Sequence, residues 1–232
     1  MARKKGPQAE EAFQYIRDKI LRYELPPGAP VSDNQLAGEL AMSRAPVREA
    51  MLLLVGEGLL VQGTGGTRVA PISEEDIIEI CQVRRAVEVA AVGLIFERGG
   101  LTELQKAELK QIGQELDSTD LKEAFMENCR LDDRLHAAIV RFAGNRRLTA
   151  ISERMRLQIH RARWLTAVLP ERWEKAAGEH ARIVASLLAD DQRRSEEELR
   201  NHLLNSEENF KRVLALPQLP SIWGGMQQLK KP

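Results

Sequence analysis

Four side chains of types that commonly bind divalent transition metals lie in the second half of the chain. Asp132 and His136 are four residues apart, so a helix would place them on one face. His180 and His202 fall in two later helical segments, and antiparallel helices can each direct one ligand into a shared interior. Three imidazoles and one carboxylate suit Zn first, with Ni, Mn, Co or Fe as alternatives. This spacing is not a metal motif by itself, and histidines that are satisfied separately or face solvent are the alternative interpretation.

A second group of residues has the chemistry to contact DNA. Arg44 and Arg48 are also four residues apart and emerge on one helical face. Arginine suits bidentate contact with guanine or with a phosphate. Ser43 begins this segment, with Ala45 and Pro46 in its first turn, and its hydroxyl and the free N–H groups there can bind phosphate. Two arginines that merely keep a helix face soluble are the alternative.

The elements around this second group predict a winged helix-turn-helix over residues 1–71. Apolar residues at helical spacing predict three helices, over about residues 9–23, 33–40 and 44–57. Two short β-like runs follow and flank a glycine-rich hairpin tip that contains Thr64, Gly65 and Gly66. In this order of elements the third helix enters the major groove, and the wing tip lets the backbone come close to DNA.

The helical segments in the rest of the chain predict an all-α antiparallel bundle of six to seven helices over residues 72–216. Helical segments begin near Glu74, Thr102, Asp120, Arg147, Pro170 and Gln192. Pro217 and Pro220 mark a tail over residues 217–232. The fold class is therefore mainly α, and the metal-binding candidates fall on three different helices of the bundle.

Composition limits the function further. The 34 Lys and Arg residues balance 34 Asp and Glu residues, which excludes a uniformly basic nucleic-acid binder but not a local basic surface. No apolar run reaches the roughly 18–20 residues that span a bilayer, and no apolar stretch follows the basic N-terminus as in a signal peptide. Two distant cysteines make no disulfide framework. We therefore expect a cytoplasmic protein without a membrane partner.

Residues 8–71 closely resemble the N-terminal domain of the GntR family of bacterial transcription regulators. The run Met42-Ser43-Arg44-Ala45-Pro46-Val47-Arg48-Glu49-Ala50-Met51 is the most specific part, and Glu57-Gly58-Leu59-Leu60 and the glycine-rich wing follow it. The resemblance implies that the DNA-facing residues are Ser43, Arg44, Ala45, Pro46, Arg48 and the wing-tip residues Thr64, Gly65 and Gly66.

Residues 73–215 resemble the FCD effector domain of the FadR subfamily. The segments that carry the resemblance are Leu131–Ile139, Gly144–Leu148, Glu179–Ile183 and Asn201–Leu203. It implies a metal site formed by Asp132, His136, His180 and His202. It also implies that Arg84 reaches the cavity and holds the second carboxylate of an anionic effector. The alternative for Arg84 is a surface pair with Glu88.

Together these features predict a ligand-responsive repressor rather than an enzyme. We expect a homodimer that binds a pseudo-palindromic operator in double-stranded DNA and responds to a small organic acid at the metal site. A regulator that senses the metal ion itself is one alternative. A metal-dependent enzyme is another, although the site lacks an obvious general base and the winged domain would then have no role.

Overall fold

The computed structural model describes residues 6–118, 125–166 and 169–216. Over these ranges the chain contains nine helices and one two-stranded sheet, so the mainly α fold predicted from sequence is confirmed. The described residues divide into two compact units, one ending at Ser73 and one covering Glu74–Leu216. We call them the head and the bundle and describe each by itself.

The head consists of three helices and a hairpin. Its elements are α1 (Pro7–Leu21), α2 (Asp33–Glu39), α3 (Arg44–Gly56), β1 (Leu60–Gly63) and β2 (Gly66–Val69). Ser32 begins α2 because its side chain accepts a hydrogen bond from the Gln35 backbone N–H. The inward faces of α1 and α3 form the core, where Ile16, Val47 and Leu54 are fully buried. This packing leaves the N-terminal turn of α3 at the surface.

Two backbone features shape the surface of the head. Ala41 has φ 51 in the tight turn between α2 and α3, a left-handed conformation that an alanine seldom adopts. In the wing, Gly63 pairs with Gly66, whose φ of +96 favours glycine, so Thr64 and Gly65 form the tip. The short turn and the hairpin therefore present α3 and the wing tip to solvent.

The bundle contains six helices in the described ranges. They are α4 (Glu74–Glu97), α5 (Glu103–Ser118), α6 (Phe125–Phe142), α7 (Arg146–Leu165), α8 (Pro170–Leu188) and α9 (Gln192–Leu214). The predicted start of the third bundle helix near Asp120 lies outside the described residues, as does the predicted tail over residues 217–232. None of the helices in the described ranges has the length and the apolar character needed to cross a membrane.

The core of the bundle is mostly apolar but contains a polar layer. Leu135, Ile139, Ile183 and Leu199 are completely buried, as their positions on amphipathic helices require. On α6 this apolar stripe is interrupted by buried polar residues at successive turns, Asn128, Asp132 and His136. Buried polar groups need partners, so the polar layer is the place to look for a functional site.

Candidate metal centre and DNA-contact surface

The polar layer brings together all four metal-binding candidates. Asp132 and His136 come from α6, His180 from α8 and His202 from α9, and every one of them is buried. One ligand atom from each residue lies within 4.8 Å of the others. The sequence spacing left this convergence open, because only the packing of three helices determines it.

Two of the histidines are oriented by carboxylates. The Nδ1 atom of His136 lies 2.6 Å from Glu88 Oε2, and the Nδ1 atom of His202 lies 2.8 Å from Glu179 Oε2. Protonation on Nδ1 satisfies these carboxylates and leaves each Nε2 with a lone pair. The two Nε2 atoms are 3.1 Å apart, so the two lone pairs face each other unless a proton or a cation lies between them.

The other two candidates have buried atoms without good hydrogen bonds. His180 Nε2 lies 3.2 Å from Asp132 Oδ1, and neither His180 Nε2 nor Asp132 Oδ2 makes a hydrogen bond of acceptable geometry. Arg163 Nη2 lies 2.6 Å from Asp132 Oδ2 and forms an ion pair with it. Buried polar atoms without hydrogen bonds lower the stability of the fold. A cation bound between these side chains would satisfy them.

The electrostatics favour the ionisation states that a metal requires. Burial opposes ionisation of Asp132, but Arg163, His136 and His180 together outweigh burial and hold the pKa of this carboxyl well below its usual value. Burial lowers the pKa of His136, and burial together with His180 and His136 lowers the pKa of His202 well below its usual value. A carboxylate and neutral imidazoles are the forms that bind metal ions.

The donor set and its spacing fit a divalent transition metal. Ligand atoms at about 2.0–2.2 Å from one ion lie about 3 to 4.4 Å from each other. The two short separations, 3.1 and 3.2 Å, fall inside this range, and the 4.8 Å spread exceeds it only slightly. Small side-chain rotations would therefore complete the site.

Sequence reasoning missed the residues that support the ligands. Glu88 and Glu179 hold two imidazoles, and Arg163 pairs with Asp132 while only 1% exposed. Glu179 directly precedes His180 in the sequence, which was a usable signal. Arg163 has no such signal, because only the packing of α7 against α6 brings it to Asp132.

Asp133 belongs to a separate polar cluster, consistent with its position off the ligand face of α6. Its Oδ2 lies 2.9 Å from His160 Nδ1, and its Oδ1 accepts a hydrogen bond of 2.5 Å from Arg163 Nη1. His160, the fourth histidine, thus lies outside the group of four ligand candidates. Arg163 connects the two clusters because it pairs with both Asp132 and Asp133.

Arg84 pairs with Glu88 as one interpretation of the sequence expected, but this pair is not on the surface. The Arg84 Nε atom donates to Glu88 Oε1 over 2.7 Å, and both residues are buried. Because the other oxygen of Glu88 contacts His136, Glu88 links Arg84 to a ligand candidate. A cavity of about 20 Å³, enough for one water molecule, lies beside Arg84, Glu88 and His136.

A second buried guanidinium was not anticipated. Arg172 is 5% exposed, donates to the Thr166 hydroxyl, and stacks over the Trp173 ring with 4.8 Å to the ring centroid. Burial, followed by the charge of Arg163, lowers the pKa of Arg172 to about 10. Among the described residues no carboxylate lies within ion-pair distance of it, so the bundle interior contains a cation that lacks a counter-ion there.

The DNA-binding candidates on α3 lie at the surface of the head. Ser43 occupies the N-cap position without a cap hydrogen bond from its side chain, which leaves the hydroxyl available to a phosphate. Ala45 is exposed beside it and Pro46 is half-buried. Arg44 and Arg48 project into solvent with side-chain exposures of 52% and 62%. The N-terminal turn of α3 is therefore accessible to a ligand such as DNA.

One carboxylate engages both arginines. Asp33 Oδ2 lies 3.0 Å from Arg44 Nη2 and 2.5 Å from Arg48 Nε. Arg48 and then Arg44 lower the pKa of Asp33 by hydrogen bonding to its ionised form. Sequence reasoning did not identify Asp33 as a partner, because it precedes the two arginines by 11 and 15 residues across a turn.

The wing-tip candidates are also exposed. Thr64, Gly65 and Gly66 lie at the end of the hairpin, away from the core of the head. A cavity of about 370 Å³ separates the wing from α3 and is lined by Asp33 and Arg48 among other residues. The head therefore presents a helix, a wing and a cleft between them.

Comparison with known proteins identifies both units. Residues 8–69 match the family "Bacterial regulatory proteins, gntR family", and residues 79–205 match the FCD domain. The HTH-type transcriptional repressor GlaR of Escherichia coli is 30% identical over 84% of this chain and 91% of its own length. The HTH-type transcriptional regulator YdhC of Bacillus subtilis is 28% identical over 91% of this chain and 94% of its own length.

A solved structure shows the same fold. The E. coli protein McbR/YncC superposes with a TM-score of 0.75 at 22% identity and covers 90% of this chain and 99% of its own. The matching families and the named relatives are transcription regulators rather than enzymes, as the sequence predicted. The chain belongs to the GntR family of DNA-binding transcription regulators, with an N-terminal GntR domain and a C-terminal FCD domain.

Proposed function

We propose that this regulator represses transcription as a homodimer on a pseudo-palindromic operator, under the control of a small organic acid. In this proposal residues 1–71 bind double-stranded DNA, residues 72–216 bind the effector and form the dimer, and residues 217–232 are a tail. Two relatives that are named repressors support repression rather than activation. Action on the chromosome would place the protein in the cytoplasm.

The convergence of Asp132, His136, His180 and His202 carries this proposal. Four buried ligand atoms within 4.8 Å, two of them opposed imidazole nitrogens, fit a divalent transition metal, with Zn first and Ni, Mn, Co or Fe as alternatives. When bound, such an ion would supply open coordination positions to a carboxylate. The protein residues would fix the orientation of that carboxylate and exclude bulk water from it.

Arg84 would hold a second anionic group of the effector. Its guanidinium is already 2.7 Å from one carboxylate, that of Glu88. An effector carboxylate that bound Arg84 would compete with Glu88, whose other oxygen supports His136. Occupation of the effector site would therefore change the support of a metal ligand.

The effector needs more room than the cavity beside Arg84 provides. The present volume of about 20 Å³ holds one water molecule. Met155 and Arg156 line this cavity; Met155 is partly buried and Arg156 is exposed. We therefore propose that these two side chains move when a small acid enters, and that this movement begins the response.

On DNA, the proposed contacts divide into two kinds. Arg44 and Arg48 would read guanine edges or clamp phosphates, while Ser43, Ala45 and Pro46 would lie against the groove at the start of α3. Thr64, Gly65 and Gly66 would bring the wing backbone close to the sugar-phosphate chain. The effector shifts repression only if it binds the free and the operator-bound forms with different affinities.

One experiment with three arms tests the proposal. The arms are full-length protein stripped by chelator, protein reloaded with Zn, and Zn-loaded protein with a panel of mono- and dicarboxylic acids. In each arm we would measure thermal stability and affinity for an operator selected from a random duplex library. We expect Zn to raise the melting temperature, and one class of acid to raise it further and to change operator affinity.

The other outcomes distinguish the alternatives. A change in operator affinity with Zn alone, and none with any acid, would establish a metal sensor instead. Failure to select any sequence from the library would contradict operator binding. Zn content that remains far below one ion per chain after reloading would contradict the metal site.

A further inference from the structure

Arg172 is a buried cation that the proposed effector site does not use. The residue is only 5% exposed, and in the part of the chain that the structure describes no carboxylate lies within ion-pair distance of it. Removing a guanidinium group from water without a counter-ion opposes folding. Arg172 is therefore a candidate receptor for a negative group that enters the bundle from outside.

The protein groups around Arg172 hold its guanidinium group in place but do not neutralise it. The group donates a hydrogen bond to the Thr166 hydroxyl. Its Cζ atom lies 4.8 Å from the ring centroid of Trp173 and 5.8 Å from that of Phe210. Aromatic faces attract a cation. An arginine side chain has five N–H donors, so the donors that Thr166 does not use can bind an oxygen ligand.

The electrostatic surroundings of Arg172 also favour an anion. Burial lowers the pKa of Arg172 most, and the charges of Arg163 and Arg84 lower it further, whereas Asp132 is the carboxylate that raises it. Thr166 connects the first two arginines, because its hydroxyl accepts from Arg172 and donates to the Arg163 carbonyl. The buried Nε atom of Arg163 has no hydrogen-bond partner. Two neighbouring guanidinium groups with unused donors are suited to a negative ligand.

This cationic group lies beside the layer of metal-ligand candidates rather than in it. Arg172 precedes His180 by eight residues on α8, and Phe210 follows His202 by eight residues on α9. Eight residues are about two helical turns, or about 12 Å along each axis. Arg172 is not among the residues that line the small cavity beside Arg84. An anion at Arg172 would therefore occupy a place of its own.

An anion at Arg172 would also enter at a lower cost than one at Arg84. At Arg84 an incoming carboxylate must displace Glu88, which already accepts a hydrogen bond of 2.7 Å from the guanidinium group. At Arg172 no ion pair between described residues has to break. A divalent metal at the four ligand candidates would bring further positive charge, so metal and anion would attract each other.

We infer that Arg172, held by Thr166 and assisted by Arg163, is the receptor of a carboxylate site that is separate from both the metal centre and Arg84. This inference rests on the proposed control by an organic acid and adds a second anchoring point for it. A planar carboxylate matches the fork of a guanidinium group. It is supplied by the far end of an acid that also reaches the metal, or by a separate small acid.

Titration of the full-length protein with simple carboxylates tests the inference. The probes are acetate, malonate, glutarate and adipate at constant ionic strength, with chloride as the reference anion. Isothermal titration calorimetry would measure their affinities for chelator-treated and for Zn-loaded protein. We expect at least one probe to bind, and to bind more tightly with Zn. Acetate binding without Zn identifies a separate acid, whereas Zn-dependent binding of glutarate or adipate alone identifies an acid that spans the two sites.

Substitutions assign the carboxylate to its receptor. Arg172→Met keeps a long apolar side chain against the rings but removes the charge, so we expect affinity for the probe to fall at least about tenfold, the effect of one hydrogen bond to a charged group. Arg182→Met removes the same charge from a half-exposed position on the same helix and should bind as the wild type does. Arg172→Lys keeps the charge without the planar fork and should retain part of the affinity.

Three outcomes would overturn the inference. The first is wild-type affinity in Arg172→Met, or in Arg172→Lys if circular dichroism shows that Arg172→Met does not fold. The second is a loss of binding in Arg84→Met alone, which would leave the proposed control by an acid in place with Arg84 as its receptor. The third is that no probe binds either form of the wild-type protein. Zn content and operator selection test the metal site and DNA binding separately from all three.

Discussion

The head and the bundle use the same chemical pairing, a carboxylate with a basic side chain, in opposite environments. In the head, Asp33 engages Arg44 and Arg48 at the surface, where solvent and salt weaken ion pairs. In the bundle, Glu88 and Glu179 engage His136 and His202 in the interior. Breaking an exposed ion pair in favour of a contact with DNA requires little free energy. A buried pairing fixes the orientation of a side chain and is costly to break.

The largest effect should come from removing a metal ligand of the bundle. We expect His180→Ala to reduce Zn affinity by at least about a hundredfold, because loss of outer partners alone costs about 10–100-fold. Zn content by plasma emission spectrometry and competition with a chelating dye would measure it. His160→Ala is the matched control, since His160 lies outside the ligand group and should leave Zn content near one ion per chain. Equal Zn content in both variants would show that the ligand set is wrong.

A buried supporting carboxylate should have the next largest effect. Glu179→Gln keeps the size of the side chain but weakens the hold on His202 Nδ1, so we expect Zn affinity to fall about 10–100-fold. The exposed Glu174 lies on the same helix, and Glu174→Gln serves as its control. The same competition titration measures both variants. Identical affinities would mean that Glu179 contributes packing only.

These two predictions concern residues that sequence patterns reveal to different degrees. The i,i+4 spacing of Asp132 and His136 indicates a shared face, and the later histidines were assigned through resemblance to the FCD domain. The supporting residues Glu88 and Arg163 were not predicted, because their roles depend on the packing of α4 and α7 against α6. A spacing pattern covers one helix at a time, whereas a site between helices depends on long-range packing.

The head was predictable in more detail because its features are local. Helix starts, the tight turn and the glycine-rich wing each depend on a few consecutive residues, and the observed α3 begins at Arg44 as predicted. Here too the missed residue, Asp33, acts across a turn from the arginines that it contacts. In both units, therefore, the patterns identify the candidate residues, and the fold adds the groups that restrain them.

In the head, loss of an arginine should weaken DNA binding without affecting the metal. We expect Arg48→Ala to reduce operator affinity about tenfold, the effect of one good base or phosphate contact. Fluorescence anisotropy with the selected operator would measure it, with Zn content as the second readout. Arg22→Ala removes the same charge from an exposed position at the end of α1 and should have a smaller effect. Wild-type operator affinity in Arg48→Ala would contradict the assignment of α3.

Low pH should reduce the stability of the bundle more than that of the head in metal-free protein. The pKa values of His136 and His202 are lowered from 6.5, so the unfolded bundle binds more protons than the folded one below that pH. The bundle therefore loses stability as pH falls below about 6.5, by up to about 1.4 kcal/mol per histidine and pH unit.

The head contains no histidine, and its Glu39, paired with Lys19, has a pKa lowered from 4.5 to about 2. This pairing begins to lose its contribution only below about pH 4.5. Hydrogen exchange with mass spectrometry at pH 5.5 should therefore show faster exchange in bundle peptides than at pH 7.5, after correction for intrinsic rates, and unchanged protection in head peptides. Equal destabilisation of both units would contradict this difference.

The smallest effect should come from the exposed carboxylate of the head. Asp33→Asn removes the charge that holds Arg44 and Arg48, so both arginines become freer to contact any phosphate. We expect affinity for non-specific duplex to rise about threefold and its salt dependence to steepen, because non-specific binding is dominated by phosphate contacts. Operator affinity should rise less or fall, since Asp33 also holds the two guanidinium groups in place.

Glu11→Gln changes net charge equally at an exposed site on α1 and provides the control. If both variants raise operator and non-specific affinity by the same factor, Asp33 acts only through net charge. A selective loss of discrimination in Asp33→Asn would instead show that an exposed ion pair, although weak in stability, determines which DNA the head prefers.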